Sequence, residues 1–296
     1  MKMYVGVTDR KWFEFLKSQQ CDEVNFWTPG SRTFKAIPEN NLFLFKLHAP
    51  DNYIVGGGFF VRYSKLPTFL AWDAFGIKNG TESKNELEKS IQKYRVRNGM
   101  DKANPEIGCI ILTEPFFFDR ENWIPAPDDW SKSIVTGKTY DTITETGKRL
   151  YKDVLERIQL SDKNRYSESL AKHRLGQGAF RVGVVDAYGG RCAVTGEKTL
   201  PVLEAAHIKP YAEEGPHEID NGILLRSDLH IIFDDGYITV DDDYRINISH
   251  RLHEDYGNGK RYYDYQGEQL LVLPEQKIYQ PNKDFIEWHN DNVYLG

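Results

Sequence analysis

The segment from Leu203 to Ile238 reads LEAAHIKPYAEEGPHEIDNGILLRSDLHIIFDDGYI, and it restricts the fold more than any other feature of the chain. VLEAAHI is a short apolar run with Pro210 just after it, the pattern of a strand that stops. YAEEGPHEID is polar, contains Gly and Pro, and reads as a long loop. NGILL fits a turn and SDLHIIF a helix, with Gly236 as its stop. YITVDDDYRINI fits a hairpin. Thirteen residues separate His207 from Asn221, and eight separate Asn221 from His230. A strand, a loop and a helix of these lengths can bring all three to one small cleft.

Such a cleft has a chemistry. Imidazole is the side chain best suited to take a proton from water near neutral pH. A base beside a bound cation is an arrangement that hydrolyses phosphodiesters. An asparagine can orient a neighbour without competing as a base. Glu204 lies two positions before Ala206, so strand alternation places it on the face of Ala206 and opposite His207; it is still a candidate metal ligand. Asp234 is expected to tether the helix or to sit near the metal. His217 and Asp220 are expected on the loop surface, where they could touch DNA. Three cysteines, Cys21, Cys109 and Cys192, make neither a disulfide framework nor a four-cysteine zinc site. Cys192 is expected to be a buried core thiol, with no structural zinc.

With 296 residues the chain is long enough for two domains. Its 40% apolar and 28% charged residues are those of globular material. No apolar run is long enough to cross a membrane, and the N-terminus lacks a secretory pattern, so a cytoplasmic protein without a membrane partner is expected. A net charge of -6 argues against a surface that coats nucleic acid everywhere. Local excesses of +3 at residues 84–102 and 161–181 are either a nucleic-acid footprint or ordinary solvated surface.

The N-terminal part is strand-rich. MYVGV, NLFLFKLHA, YIVGGGFFVRY and IGCIILTEPFFF read as strands, and KWFEFLKSQ and ESKNELEKSIQKYRVRNG as helices. Gly56, Gly57 and Gly58 suit a bulge or a close backbone approach. WIPAPDDWSKSIVTGKTYD is turn-like and closes this part, and Thr144 to Leu160 reads as a helix. NFWTPGSRTF places Trp27 beside a Pro-Gly turn, and FLAWDAFG places Trp72 and Asp73 together. Aromatic faces can sandwich a base drawn from the stack, and an aspartate can accept from a cytosine amino group. The alternative for each is an aromatic core.

AAHIKP, DNGILL and DLHIIFDDGYI, with FR…YGGRCAVTG upstream, resemble the HNH nucleases, built on a ββα-metal finger. The resemblance spans about residues 177–240. It implies that His207 is the general base, that Asn221 supports the loop and the base, and that His230 ligates a divalent cation. Many members carry an aspartate ligand where this chain has Ala206, which leaves Glu204 as its replacement. NLFLFKLHAPDNYIVGGGFF resembles, more loosely, the PUA-superfamily barrels, including EVE and ASCH-like readers. Several of these grip modified bases and occur with HNH fingers in modification-dependent restriction enzymes.

The expectation is therefore an α+β chain. Residues 1–140 form a PUA/EVE-like β-barrel with helices that recognises a modified base through Trp27, Trp72 and Asp73. Residues 141–176 form a helical linker, and residues 177–296 a ββα-metal HNH domain. Its activity is a type IV-like, modification-dependent DNA endonuclease acting on 5-methylcytosine or 5-hydroxymethylcytosine. His207 and Asn221 are the catalytic pair, and His230 and Glu204 hold Mg²⁺ or Mn²⁺, with Co²⁺ and Ni²⁺ also suited. The partner is modified double-stranded DNA, met as a homodimer. The alternatives are an HNH endonuclease indifferent to modification and a degenerate finger that binds nucleic acid without cutting.

Overall fold

The computed structural model describes residues 1–30, 33–97, 99–100, 105–161 and 176–296. The chain divides into two compact units, Met1–Gly176 and Gln177–Gly296. It is a mixed α+β protein with a sheet-rich N-terminal unit. Among the described residues no helix is long and apolar enough to cross a membrane.

The first unit runs β1 (Lys2–Thr8), α1 (Arg10–Ser18), β2 (Glu23–Thr28), β3 (Leu42–Leu47), β4 (Tyr53–Pro67), α2 (Thr68–Phe75), α3 (Lys84–Arg97), β5 (Glu106–Phe117), β6 (Ile124–Pro125), β7 (Gly137–Asp141) and α4 (Glu145–Ser161). The strands form one sheet in the order β2-β5-β4-β3-β1-β7, with β6 added to β4. β1 and β3 are parallel and the other pairs antiparallel. Among the described residues β2 and β7 do not pair with each other, so the ladder does not close on itself. A hydrophobic core lies on each face. In β3, Leu42 and Leu44 belong to one core and Phe43 and Phe45 to the other. A strand covered on both sides needs an apolar run, and Leu42 to Phe45 supplies it; the buried Lys46 that follows donates its ammonium to the Leu47 carbonyl and to Asn52 Oδ1.

The α1 helix begins where the Asp9 carboxylate accepts the Trp12 backbone N–H at 2.9 Å. The three glycines of β4 permit a close approach to both neighbours. A Cβ on Gly57 would lie 2.6 Å from the Phe43 carbonyl oxygen and 2.7 Å from the Phe116 ring, and the β4–β5 register shifts between Gly57 and Phe59. Gly57→Ala is expected to cost about 1–3 kcal/mol, the usual range for overpacking a tight interior. A lowered midpoint in urea denaturation followed by tryptophan fluorescence checks this.

One segment of this unit differs from its sequence reading: GKTYD, read as turn-like, is the edge strand β7. NFWT ends strand β2, with Val24 and Phe26 in the core, and FLAWDAF is the helix α2. The expected linker helix is present as α4, but it is no free spacer. Leu150, Val154 and Ile158, spaced at helical turns, are buried with Met3 and Val5 in the first unit's core. Most of the remaining expected linker, residues 162–175, lies outside the described residues, as does much of the basic stretch at 161–181.

The second unit runs α5 (Gln177–Ala187), β8 (Leu203–His207), β9 (Gly222–Arg226), α6 (Ser227–Asp234), β10 (Ile238–Val240), β11 (Ile246–Ile248), α7 (Arg251–Tyr256), α8 (Lys260–Tyr263) and α9 (Lys283–Asn292). β8 pairs with β9, and β10 with β11. A single core holds Phe180, Val184, Cys192, Ala206, Leu224, Leu229, Phe233 and Ile286. NGILL, read as a turn, is the second strand of the finger. The Asn-Gly pair ends the loop here instead of turning a hairpin.

Candidate functional site

β8, β9 and α6 form a strand-strand-helix unit whose long connection, residues 208–221, leaves and rejoins the ladder at one end. His207 is the last residue of β8 and pairs with Gly222. A side chain on Gly222 would collide with Val184 and the Phe180 ring, so the glycine lets α5 pack against the ladder. Phe180 in turn lies flat under His207, with ring centroids 3.9 Å apart and planes 14° apart.

Asn221 closes the connection. Its Oδ1 accepts the Lys209 backbone N–H at 2.9 Å, and its Nδ2 donates to the carbonyls of Lys209 at 2.9 Å and Pro216 at 2.8 Å. The residue is fully buried. Both amide hydrogens are thus spent on holding the loop.

The closed loop brings a residue to His207 that the sequence reading left on the surface. His217 Nδ1 lies 2.9 Å from His207 Nε2. Its ring stacks on Tyr211 with centroids 4.5 Å apart and planes 1° apart. Nothing in the spacing of His217 signals this, because it depends on how Asn221 folds the loop.

His230, on α6, sits between two carboxylates. Its Nδ1 is 2.6 Å from Glu204 Oε2, and its Nε2 is 3.2 Å from Asp234 Oδ2, one helical turn on. Glu204 therefore reaches the side of the ladder that carries His207, while Ala206 is buried in the core. A glutamate is long enough to reach His230 even from a strand position that alternation sets opposite His207. Arg181, Glu204, His207, Tyr211, His230 and Asp234 line one cavity of about 500 Å³.

The two imidazoles are pushed apart electrostatically. Burial, and then His217, lower the His207 pKa from 6.5 to about 4; Asp234 opposes this and His230 adds to it. Burial also opposes charge on His230, but Asp234 and Glu204 outweigh it, and its pKa is raised. His207 is thus held toward its neutral form, and His230 is shifted toward its cation.

The donor types fit a divalent cation: one imidazole nitrogen and carboxylate oxygens at one cavity. They are not arranged as a cage. Among the described residues no three His, Cys, Asp or Glu side chains are grouped to hold a metal, and each nitrogen of His230 faces a carboxylate. A cation would take a nitrogen of His230 only where one of those contacts opens.

The expected base-binding residues do not form a visible sandwich. Trp27, half-buried on β2, donates its indole N–H to the Asn79 carbonyl at 3.0 Å, beside the Trp12 N–H that donates to the same oxygen. Its ring meets Tyr94 edge-on. Trp72 and Asp73 adjoin on α2, one half-buried and the other exposed. The first unit has an open cleft of about 850 Å³ lined by Lys2, Phe34, Lys35, Phe60, Arg62 and Tyr63 among others, and none of the three expected residues lines it.

The sequence matches an HNH endonuclease family over residues 192–241, so the second unit carries an HNH-family domain. No curated protein gives a sequence match. Among solved structures, the ASCH protein of Zymomonas mobilis is 9% identical, with a TM-score of 0.34, over 51% of this chain and 94% of that one. A modification-dependent TagI restriction endonuclease is 12% identical, with a TM-score of 0.29, over 93% of this chain and 76% of that one. Both likenesses are weak.

Proposed function

We propose that the chain is a metal-dependent DNA endonuclease whose first unit selects DNA carrying modified cytosine. The observation that carries the nuclease reading is the placement of His207, at the end of the first strand of an HNH-family finger, in one cavity with the carboxylate-flanked His230. His207 takes a proton from the attacking water. Phe180 and the Asn221-closed loop hold its ring, so Asn221 acts by positioning. His230 with Glu204 would hold a divalent cation, Mg²⁺ or Mn²⁺, and Asp234 is the further oxygen within reach. When bound, that cation supplies charge stabilisation to the phosphate and its leaving oxygen. Arg181, at the same cavity, is placed to meet a phosphate.

The selector role rests on the first unit's sequence resemblance to PUA-superfamily readers and on the small size of the finger, which leaves little surface for reading bases. Selection is by extruding one base into the first unit. Its cleft, with the aromatic rings of Phe34, Phe60 and Tyr63 and the cations Lys2, Lys35 and Arg62 at the wall, is a second candidate site beside Trp27, Trp72 and Asp73. One finger makes one cut, so a homodimer or two successive nicks sever a duplex.

The test compares one plasmid in unmodified, 5-methylcytosine and 5-hydroxymethylcytosine forms, with Mg²⁺ or Mn²⁺. Cutting confined to a modified form, at least about tenfold faster than the unmodified control, is expected; tenfold corresponds to ~1.4 kcal/mol of discrimination. Equal cutting of all three removes the selector role. DNA binding without cutting under any metal points to a binding-only finger, the reading favoured by the mutual satisfaction of His230, Glu204 and Asp234.

A further inference from the structure

We infer that His217 sets the tautomer of His207, and thereby decides which nitrogen of the base is left to accept a proton. The inference rests on the nuclease reading for its consequence, but not for its geometry. At 2.9 Å the Nε2 of His207 and the Nδ1 of His217 share one hydrogen, and only one ring can donate it. Where His207 donates from Nε2, its Nδ1 is bare and can take a proton from water. Where His217 donates, the proton of a neutral His207 must sit on Nδ1, its Nε2 lone pair is spent, and the ring has nothing left to act with.

The choice belongs to His217. Neutral and protonated at Nε2, it accepts and makes His207 competent. As an imidazolium it has donors alone and makes His207 the acceptor. Both rings are held for this exchange: His207 lies on Phe180, His217 lies on Tyr211, and the Asn221 side chain fixes the Pro216 carbonyl next to His217. In the forward step an O–H bond of water breaks, its proton joins Nδ1 of His207, and the oxygen keeps the electron pair for attack on phosphorus. The hydrogen bond from His207 Nε2 to neutral His217 then becomes charge-assisted. It is stronger after proton transfer than before, the direction that accelerates a reaction.

Other ionisable groups share the His207 cavity: Arg181 from α5, Glu204 from β8, Tyr211 from the loop (it also stacks on His217), His230 and Asp234 from α6, and His289 from α9. They remain in every variant compared below, so differences between those variants report on position 217.

Two measurements test the inference. Ring ¹⁵N NMR of the full chain, near neutral pH and without metal, is expected to show His207 with its proton on Nε2; a proton on Nδ1 overturns the proposal whether or not the protein cuts DNA. For cleavage, His217→Ala is expected to fall by roughly 10–100-fold, the usual loss for a group that orients another. His217→Gln keeps an acceptor that does not titrate; it should recover most of the rate and carry the acid limb of kcat/KM to lower pH. Equal losses in the two variants, with that limb unmoved, overturn the proposal in favour of loop packing. A wild-type chain that cuts nothing defeats the nuclease reading and leaves the NMR result to decide this one.

Discussion

Replacing His207 by alanine is expected to lower kcat for DNA cleavage by about 10³-fold, within the ~10²–10⁴ that a positioned general base contributes. DNA binding should change little, since Arg181, the cation proposed to meet the phosphate, stays. Alanine also removes the ring that covers Phe180, so His207→Gln is the cleaner comparison: it restores bulk but no base, and should be as inactive. Single-turnover cleavage of a labelled duplex separates the chemical step from binding. Full activity in either variant would mean that the base lies elsewhere. The same residue makes a pH prediction. Its folded pKa of about 4 lies below the ordinary 6.5. Between those values the unfolded chain binds a proton that the folded chain does not. The folded state therefore loses stability as pH falls through 6.5, and the loss is complete below 4; above 6.5 there is none. His289, lowered to about 4 by burial, adds a loss of the same sign. His207→Ala should narrow the stability gap between pH 7 and pH 5 in urea denaturation while abolishing cleavage. A wider gap would contradict the buried, neutral imidazole.

The order strand, loop, helix was legible because each element carries its own signal: an apolar run closed by proline, a polar Gly-Pro stretch, and a serine-led apolar helix. That order alone puts His207, Asn221 and His230 in one finger. Other features depend on contacts that no local pattern encodes. Asn221-Gly222 looks like a hairpin turn, and becomes the start of β9 because Gly222 is needed under α5. His217 meets His207 only after the Asn221 side chain has drawn the loop shut. Glu204 meets His230 through the length of its side chain, which strand alternation alone does not announce. In the first unit, LFLFKL announced a strand buried on both faces, and the spacing of Leu150, Val154 and Ile158 announced a helix, but not the surface that it covers. Trp27 looked available beside its Pro-Gly turn. Its N–H is instead committed to Asn79, a residue 52 positions away whose side chain also joins Asn25 and α2.

Asn221→Asp is expected to be at least as damaging as Asn221→Ala, although aspartate is nearly the same shape. Alanine takes the Asn221 partner from three partly buried backbone groups: the Lys209 N–H and the carbonyls of Lys209 and Pro216. At ~1–3 kcal/mol for a group left unsatisfied, discounted because water reaches part of each, a loss of about 3 kcal/mol is expected. Aspartate can still accept the Lys209 N–H. Its second oxygen, however, replaces the Nδ2 donor and faces two carbonyl oxygens at a site with no exposure. The carboxylate must stay charged against them or take up a proton, and either costs free energy. Both variants should therefore lower Tm by roughly 10 °C, on the usual scaling of a few degrees per kcal/mol for a unit of this size. Cleavage should fall further than stability alone requires, since the loop also carries His217 to the base. Acid should separate the two: protonating the new carboxyl restores one donor, so Asn221→Asp should gain stability relative to Asn221→Ala as pH drops from 7 to 5. A thermal scan of both variants at the two pH values decides it. Wild-type stability in Asn221→Asp at pH 7 would mean that the loop is held by something other than the Asn221 amide, and the placement of His217 against His207 would lose its cause.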